Sequence, residues 1–190
     1  MSHLKEDRRV IKTKHSIKEA FITLLETQPI ESITVQSITS KAMINRSTFY
    51  SHYPDVYALQ QEIEDTFIQD IEILLSPPYT SLEEKSKIEE TPIYKIFQYM
   101  NENRRITFLL FKEASNSGFI LRLAQRLRNT AIMNIPANEK EQLPALFQNY
   151  TSSFLVYGIV GIMHRWVLEG GTTTPEEITH ISLMLAKEHQ

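Results

Sequence analysis

The fold of this protein is decided by residues 34–59, which read TVQSITSKAMINRSTFYSHYPDVYAL. Thr34 is a residue type that commonly caps helix N-termini, because its side-chain oxygen accepts a hydrogen bond from a backbone N–H of the first turn. Ile33 before it and Ile38 at the fourth helical position have the spacing of a hydrophobic staple. The stretch therefore predicts a helix that begins after Thr34.

The same combination of cap and staple occurs again eleven residues further on. Asn45 is a favoured N-cap, and Ile44 and Phe49 occupy the two staple positions around it. A connection from Lys41 to Ile44 is too short for anything but a sharp turn. The sequence thus predicts two helices in a helix-turn-helix arrangement.

Helical patterns continue on both sides of this motif. Upstream, before Pro29, apolar residues recur three and four positions apart, as on one face of an amphipathic helix. Downstream, Pro54 and Asp55 favour the start of a fourth helix. An apolar seam then runs from Val56 to Leu74, roughly 30 Å at 1.5 Å per residue. This fourth helix is long enough to join two domains.

Beyond Pro92 the apolar spacing is again helical, and no segment alternates clearly enough to predict a strand. One helix is expected to open near Asn138 and to end at Gly170–Gly171. A last helix is expected over Pro175–Glu188, with proline in its first turn. The count of 5 glycines in 190 residues also disfavours tight hairpins.

We therefore predict an all-α protein of two domains: a three-helix helix-turn-helix head, residues 1–53, and a helical body, residues 54–190, entered through the fourth helix. The charge divides at the same place. The head has eight basic against five acidic residues, a net charge of +3, and the remainder twelve against eighteen, a net charge of −6. A basic head on an acidic body is typical of nucleic-acid binding, and ordinary scatter of charge is an equal alternative.

Composition disfavours several classes of protein. The chain has no cysteine, which excludes thiol catalysis, disulfides and cysteine zinc sites. No nucleophile-elbow, P-loop or dinucleotide-binding motif occurs, so we expect no enzyme and no bound cofactor or metal. The N-terminus lacks a signal-peptide core, and the longest apolar run, Phe154 to Met163, has ten residues where a membrane span needs about 20. These features predict a cytoplasmic protein without a membrane partner.

The third predicted helix carries side chains suited to DNA. If its apolar residues face inward, polar residues cover its exposed face. That face could bind DNA, or it could simply be a solvated surface, which is the alternative. Arginine suits guanine edges, serine and threonine suit several bases, and tyrosine and histidine suit phosphates. The second helix offers backbone N–H groups and a glutamine to the DNA backbone. The candidate DNA-binding residues are Thr34, Gln36, Asn45, Arg46, Ser47, Thr48, Tyr50, Ser51 and His52.

Residues 34–59 resemble the DNA-binding domain of the TetR family of bacterial transcriptional regulators. The hallmark of that family, Thr-(Phe/Leu)-Tyr-x-(His/Tyr)-(Phe) before a long fourth helix, is matched by TFYSHY at Thr48–Tyr53. Family positions matching Gln36, Arg46–Thr48 and Tyr50–His52 commonly contact DNA. The resemblance implies a sequence-specific regulator, in the first instance a repressor, whose partner is a double-stranded operator.

Two positions depart from the family pattern. The turn usually contains Gly and then Val where this chain has Met43 and Ile44, so the turn must form without the conformational freedom of glycine. The fourth helix usually begins with a lysine that contacts a phosphate, where Val56 stands here. The second change predicts weaker, less salt-dependent binding. It also supports an alternative in which a TetR-like chain has another protein as its main partner.

A weaker resemblance covers residues 150–175, which are similar to the penultimate helix and following turn of a TetR subgroup that includes regulators resembling the dihydroxyacetone kinase activator. It implies a homodimer built from the last two helices, with recognition helices about 34 Å apart on a near-palindromic operator. Each glycine in this helix costs about 1 kcal/mol of helix stability relative to alanine. Close packing against another helix would offset that cost, either within one subunit or between two. The candidate interface residues are Gly158, Gly161, Ile162, Arg165, Trp166, Ile181 and Met184.

A small-molecule effector would bind between the fourth helix and the helices after Pro92. Aromatic residues at helical spacing are more often plain core, which is the alternative here. The candidate pocket residues are Tyr94, Phe97, Met100, Phe108, Phe111, Tyr150, Phe154, Tyr157 and His164.

Overall fold

The computed structural model describes residues 8–75, 87–112, 118–133 and 144–187, and within these ranges it contains helices and no β-strand. The helices are α1 (Arg8–Leu25), α2 (Val35–Ala42), α3 (Arg46–Tyr50), α4 (Val56–Leu75), α5 (Pro92–Glu102), α6 (Arg104–Lys112), α7 (Phe119–Met133), α8 (Ala145–Leu168) and α9 (Pro175–Lys187). Two short 3₁₀ helices, Ile30–Ser32 and Ile88–Glu90, precede α2 and α5. The all-α prediction is confirmed for the part of the chain described.

The chain forms two compact units that divide within α4, between Thr66 and Phe67. The first unit, called the head below, contains α1, α2, α3 and the first part of α4. The second, called the body, contains the end of α4 and the later helices. The sequence places the boundary before α4, at residue 53, whereas in the structure the head also includes α4 as far as Thr66.

All four helices of the head contribute to its core. Ile17 and Phe21 of α1, Ile38 of α2, Phe49 of α3 and Leu59 of α4 are each at most 1% exposed. Full burial of such a side chain contributes about 1.5–3 kcal/mol. Packing of this kind is what supports α3, because a helix of five residues is far too short to be stable alone.

Aromatic side chains fill the core of the body. The ring centroids of Phe111 on α6 and Phe119 on α7 lie 5.5 Å apart. Trp166 on α8 meets Phe97 on α5 edge to face at 5.9 Å, and its indole N–H donates to the carbonyl oxygen of Thr173 at 2.9 Å. Aromatic pairs of this kind contribute about 0.5–1.5 kcal/mol beyond the area that they bury.

Helix α8 ends at Gly170–Gly171, as the sequence predicts. Both glycines have positive φ angles, 78° and 57°, and both donate their N–H groups to carbonyls in the last turn of α8. The guanidinium of Arg104 donates to the carbonyl oxygens of Gly171 and Gly170 at 3.0 and 2.8 Å. A Cβ at Gly171 would come within 3.0 to 3.2 Å of Phe108, Trp166 and Arg104. Glycine is therefore required there by conformation and by space.

The last helix, α9, begins at Pro175, which confirms its predicted start. Thr174 and Glu177 cap it reciprocally, since the N–H of each donates to the side chain of the other at 3.0 and 3.2 Å. The predicted opening near Asn138 and the predicted end at Glu188 lie outside the described residues. Among the helices of the described ranges, each is too short or too polar to cross a lipid bilayer.

Candidate nucleic-acid interface

The N-terminus of α2 is fixed by a reciprocal cap. The N–H of Ser37 donates to Thr34 Oγ1 at 3.1 Å, and the N–H of Thr34 donates to Ser37 Oγ at 3.1 Å. Ile33 and Ile38 are both buried, as the predicted staple requires. The predicted cap at Thr34 is thus confirmed, and its hydroxyl oxygen already accepts one hydrogen bond within the helix.

The turn between α2 and α3 is made by Met43, which adopts the left-handed conformation with φ 54° and ψ 44°. Among the described residues it is the only non-glycine residue with positive φ. The turn closes where the N–H of Ile44 donates to the carbonyl oxygen of Thr39 at 3.0 Å. The side chain of Met43 is 91% exposed, so it contributes almost nothing to the core of the head. Met43 therefore bears a backbone strain that glycine would avoid.

Asn45 occupies the N-cap position of α3, as predicted, but its side chain makes no capping hydrogen bond. Its backbone carbonyl oxygen instead accepts from the N–H groups of Thr48 and Phe49 at 3.0 and 3.3 Å. The side-chain amide is exposed and available to a ligand.

The candidate DNA-binding residues lie on the outside of the head. Fully buried Phe49 anchors α3 and orients the polar side chains of this helix outward. Thr34, Gln36, Asn45, Arg46, Ser47, Tyr50 and Ser51 are exposed, and Thr48 and His52 are half-buried. The Tyr50 ring is 56% exposed and rests edge-on against Phe49 at 5.7 Å. One helix-turn-helix motif thus presents a guanidinium, amides, hydroxyls and a phenol, the groups that bond to base edges and phosphates.

The first residue of α4, Val56, does not offer a contact to a DNA phosphate. Val56 is 8% exposed and belongs to the core of the head, so this position faces inward. Asp55 caps the helix by accepting from the N–H of Ala58 at 2.8 Å. The next residue, Tyr57, is 60% exposed. Nothing in the sequence pattern singled out Tyr57, because its neighbours indicated only the apolar seam of α4.

Charged and polar side chains link α1 and α4 to Tyr53, which lies three residues after the end of α3. Glu62 on α4 accepts hydrogen bonds from Lys18 at 3.0 Å and from the hydroxyl of Tyr53 at 3.1 Å, and Lys14 lies at 3.7 Å. Burial raises the pKa of Glu62, but the hydrogen bond from Lys18, the charges of Lys18 and Lys14 and the Tyr53 hydroxyl together outweigh burial. The pKa of Glu62 is therefore below its ordinary value of 4.5. This cluster ties the first part of α4 to the head.

The predicted pocket residues in the body divide by burial. Phe97, Met100 and Phe111 are fully buried, Tyr94, Phe108 and His164 are half-buried, and Tyr150, Phe154 and Tyr157 are exposed. The exposed three lie on the surface of α8 and are not in the aromatic core. His164 contacts the core, with its ring 6.2 Å from that of Phe111. A pocket lined by all nine residues stays a prediction.

The predicted interface residues divide as well. Trp166 is 1% exposed, so it belongs to the core of the body and cannot meet a partner subunit at the surface. Ile162 is half-buried, whereas Gly158, Gly161, Arg165, Ile181 and Met184 are exposed. A Cβ at Gly158 or Gly161 would meet nothing within 4 Å. In the described part of the subunit, therefore, these two glycines are not explained by tight packing within one chain.

No group of three or more His, Cys, Asp or Glu side chains that could hold a metal ion occurs among the described residues.

Comparison with known sequences matches the body to a protein family. Residues 90–188 match the family TetR_C_8, described as a transcriptional regulator C-terminal region. Over 90 residues the chain is 38% identical to YxbF of Bacillus subtilis strain 168, an uncharacterized HTH-type transcriptional regulator. That match covers 43% of this chain and 23% of YxbF, so the matched stretch spans about a quarter of the length of the relative.

Solved structures agree with the fold of the whole chain. A TetR transcriptional regulator from Streptococcus agalactiae 2603V is 24% identical, with a TM-score of 0.64, over 95% of this chain and 96% of that one. The dihydroxyacetone kinase operon activator DhaS is 20% identical, with a TM-score of 0.63, over 94% and 96%. A TetR-family protein from Syntrophomonas wolfei is 13% identical, with a TM-score of 0.68, over 93% and 94%.

At these identities the solved structures establish the fold, and the match over residues 90–188, about half of the chain, establishes the family. The chain belongs to the TetR family of transcriptional regulators.

Proposed function

We propose that this protein binds a specific operator with α3 in the major groove and with the N-terminus of α2 on the DNA backbone. The observation that carries the proposal is the exposed polar surface around buried Phe49. Arg46 has no ion pair within the described part of the head, and the Asn45 amide is not used in capping. These side chains contribute little to the stability of the head, and they have the chemistry that base edges require.

Individual roles follow from side-chain chemistry. Arg46 is proposed to donate to guanine O6 and N7, because its planar fork matches that pair of acceptors. Ser47 and Thr48 are proposed to contact neighbouring bases. Tyr50 and His52 are proposed to donate to phosphates, which position the protein without specifying a sequence.

The first experiment is a gel shift on duplexes from the DNA flanking the coding region, titrated across salt. On the fragment bound most selectively, Arg46→Ala should weaken binding by about 1–3 kcal/mol, roughly 5- to 150-fold, and relax the choice of base at one position. Arg46→Lys keeps the charge but loses the bidentate fork. It should therefore retain the salt dependence of DNA binding and lose discrimination between bases. Lys95→Ala, which removes an exposed cation from the body, is the charge-matched control.

Tyr50→Ala tests the phosphate role at the same time. It should lower operator affinity with little change in thermal unfolding, because the ring is more than half exposed. Unchanged binding at matched salt would remove Tyr50 from the interface. If neither variant changes binding, the surface around α3 is not the DNA-reading surface, and a protein partner becomes the function to test by pull-down.

We also propose that the protein acts as a homodimer through α8 and α9. Exposed residues of α8 recur at spacings of three and four, which places them on one helical face. They are Tyr150, Phe154, Tyr157, Gly158, Gly161, Arg165 and Leu168. On α9, Ile181 and Met184 are 41% and 50% exposed. An exposed apolar stripe of this length is unusual for a monomer and supports burial against a second copy.

A two-fold dimer would present two copies of α3 to a near-palindromic operator, with half-sites about 34 Å apart. We propose repression as the outcome, because occupancy of a promoter is enough to block transcription. In-vitro transcription from the bound fragment tests this proposal. A fall in transcript with added protein supports repression, and a rise would assign activation.

Release by a small effector is proposed for the body, beside Phe108 and His164. Both side chains are half-buried, and both contact core rings, Trp166 at 6.3 Å and Phe111 at 6.2 Å. A thermal-shift screen of small amphipathic molecules tests the site. A compound that stabilises the wild type and releases DNA, but does neither for His164→Ala, supports it, and equal responses of both proteins contradict it.

A further inference from the structure

Four basic residues of α1 differ in their surroundings. Lys14 and Lys18 are directed at Glu62, and their charge is compensated within the fold. Arg8 and Lys12, on the first turns of α1, are exposed and have no ion pair within the described part of the chain. Within the described residues, therefore, the charges of Arg8 and Lys12 are not compensated by an ion pair.

The first half of α1 also lies outside the core. None of its residues from Arg8 to Ser16 is buried, and the first buried residue is Ile17. Helices in proteins are stabilised mainly by packing of an apolar face, which this segment lacks. Its first turn contains no acidic residue, and Arg8 and Arg9 stand at the end of the helix where the dipole disfavours positive charge. Packing and the helix dipole therefore do not explain Arg8 or Lys12.

Arg8 and Lys12 share one face of α1. They are four residues apart, so their side chains lie above one another on the helix, about 5–6 Å apart at Cβ. His15, three residues further on, is exposed on the same side. Counted at 100° per residue, this side is opposite to Ile17, the first core residue of α1. It presents the two cations and the imidazole of His15 to solvent.

We propose that this face of α1 binds DNA phosphates, as a sequence-independent contact. The proposal rests on the proposed function that the head binds DNA. Charge complementarity favours DNA over other partners, because the phosphates of a duplex offer one negative charge per about 1.7 Å along its axis. The contact would also compensate for the lysine that the start of α4 lacks at Val56.

The test is the double variant Arg8→Ala/Lys12→Ala, with binding measured by fluorescence anisotropy on the operator fragment and on an unrelated duplex, from 0.05 to 0.3 M salt. Each lost phosphate contact should lower the slope of log K against log salt by about 0.9, so the double variant should lose about 1.8. At 0.15 M salt this corresponds to roughly ten- to thirty-fold weaker binding. The loss should be similar on both duplexes, because phosphates carry no sequence information.

Alanine is the best helix former, so the double variant should retain α1, which circular dichroism will verify. The matched control is Lys95→Ala/Lys112→Ala, which removes two exposed cations from the body and should leave the slope unchanged. Arg46→Ala gives the contrasting pattern, with a loss concentrated on the operator.

An unchanged slope for Arg8→Ala/Lys12→Ala overturns the proposal, and so does a loss confined to the operator. If no fragment is bound selectively, the proposed regulator function fails, while the slope on the unrelated duplex still tests the contact by α1. Absence of any DNA binding by the wild type overturns both. If vesicles containing anionic phospholipid bind the wild type but not the double variant, and the DNA slope is unchanged, the face belongs to a membrane surface instead.

Discussion

Helices α3 and α8 differ in what they expose. α3 has five residues, buries Phe49 completely and exposes polar side chains. α8 has 24 residues, buries Met163 and Trp166 and exposes aromatic rings and two glycines along one face. In both helices the buried residues explain how the helix is held, and the exposed residues indicate the kind of surface it meets. Polar donors on α3 fit a hydrated nucleic acid, and apolar groups on α8 fit another protein surface.

The largest expected effect comes from the buried anchor of α3. Phe49→Ala should destabilise the head by about 3–5 kcal/mol, because it removes a fully buried ring and leaves a cavity that a short helix cannot close. Far-UV circular dichroism reports all helices, whereas fluorescence of Trp166, the single tryptophan of the chain, reports the body. In urea, the dichroism transition of the variant should begin before the fluorescence transition.

Tyr50→Ala, the neighbouring position, serves as the control for Phe49→Ala. It should change the free energy of unfolding far less than Phe49→Ala, because its ring is more than half exposed. Equal destabilisation by the two variants would contradict the distinction between an anchoring and a reading side of α3.

The exposed face of α8 gives the next effect. Gly158→Leu/Gly161→Leu should weaken the proposed dimer by about 1–3 kcal/mol, roughly 5- to 150-fold in Kd, because bulky side chains would hold the two proposed interface helices apart. The monomer should keep its fold, since both positions open into free space within the subunit. Sedimentation velocity over a range of concentrations measures the change.

Gln125→Leu adds a leucine to an exposed position of α7 and should leave the dimer unchanged. An unaltered Kd in the glycine double variant would place the subunit interface elsewhere on the body.

Glu62 gives a smaller effect that depends on pH. Because the pKa of Glu62 is lowered in the folded head, its ionised form contributes stability above the unfolded pKa of 4.5, and this contribution is lost as the pH falls through the folded pKa. Glu62→Gln should therefore destabilise the head by about 0.5–1 kcal/mol at pH 7, the size expected of a partly exposed ion pair.

In thermal unfolding followed by circular dichroism, the difference between Glu62→Gln and the wild type should shrink below pH 4.5 and close once the folded carboxylate is protonated. Glu89→Gln, at an exposed carboxylate of the body, is the control and should show no such dependence. A difference that persists at low pH would mean that Glu62 acts through packing and not through its charge.

Local signals in the sequence predicted most of the fold. The cap at Thr34, the end of α8 at Gly170–Gly171 and the start of α9 at Pro175 all depend on the chemistry of a few adjacent residues. Staple spacing likewise predicted that Phe49 packs inward. The resemblance to the family could be recognised at Thr48–Tyr53, because these adjacent residues combine a buried anchor with polar side chains.

Properties that depend on distant packing could not be read in the same way. Helical spacing made Phe111 and Tyr157 equivalent pocket candidates and Trp166 an interface candidate, yet Phe111 and Trp166 are core residues and Tyr157 is exposed. The head extends into α4 as far as Thr66, and its links across helices, such as Lys18 to Glu62, are not recorded by any local pattern. Asn45 has the right residue type for a cap and the right position, but its side chain does not make the bond.

A similarly small effect, opposite in sign, is expected at Met43, where the departure from the family pattern has a measurable consequence. Met43→Gly should raise the free energy of unfolding of the head by roughly 0.5–1 kcal/mol, because relief of about 1–2 kcal/mol of left-handed strain exceeds the extra freedom that glycine has in the unfolded chain. Almost no packing is lost, since the side chain is 91% exposed. Gln125→Gly also removes a long exposed side chain, but from the middle of α7, so it should lower stability instead. Opposite signs for the two variants would show that the backbone conformation sets the effect at the turn. A loss of stability at both would show that the Met43 side chain stabilises the turn by more than its strain costs.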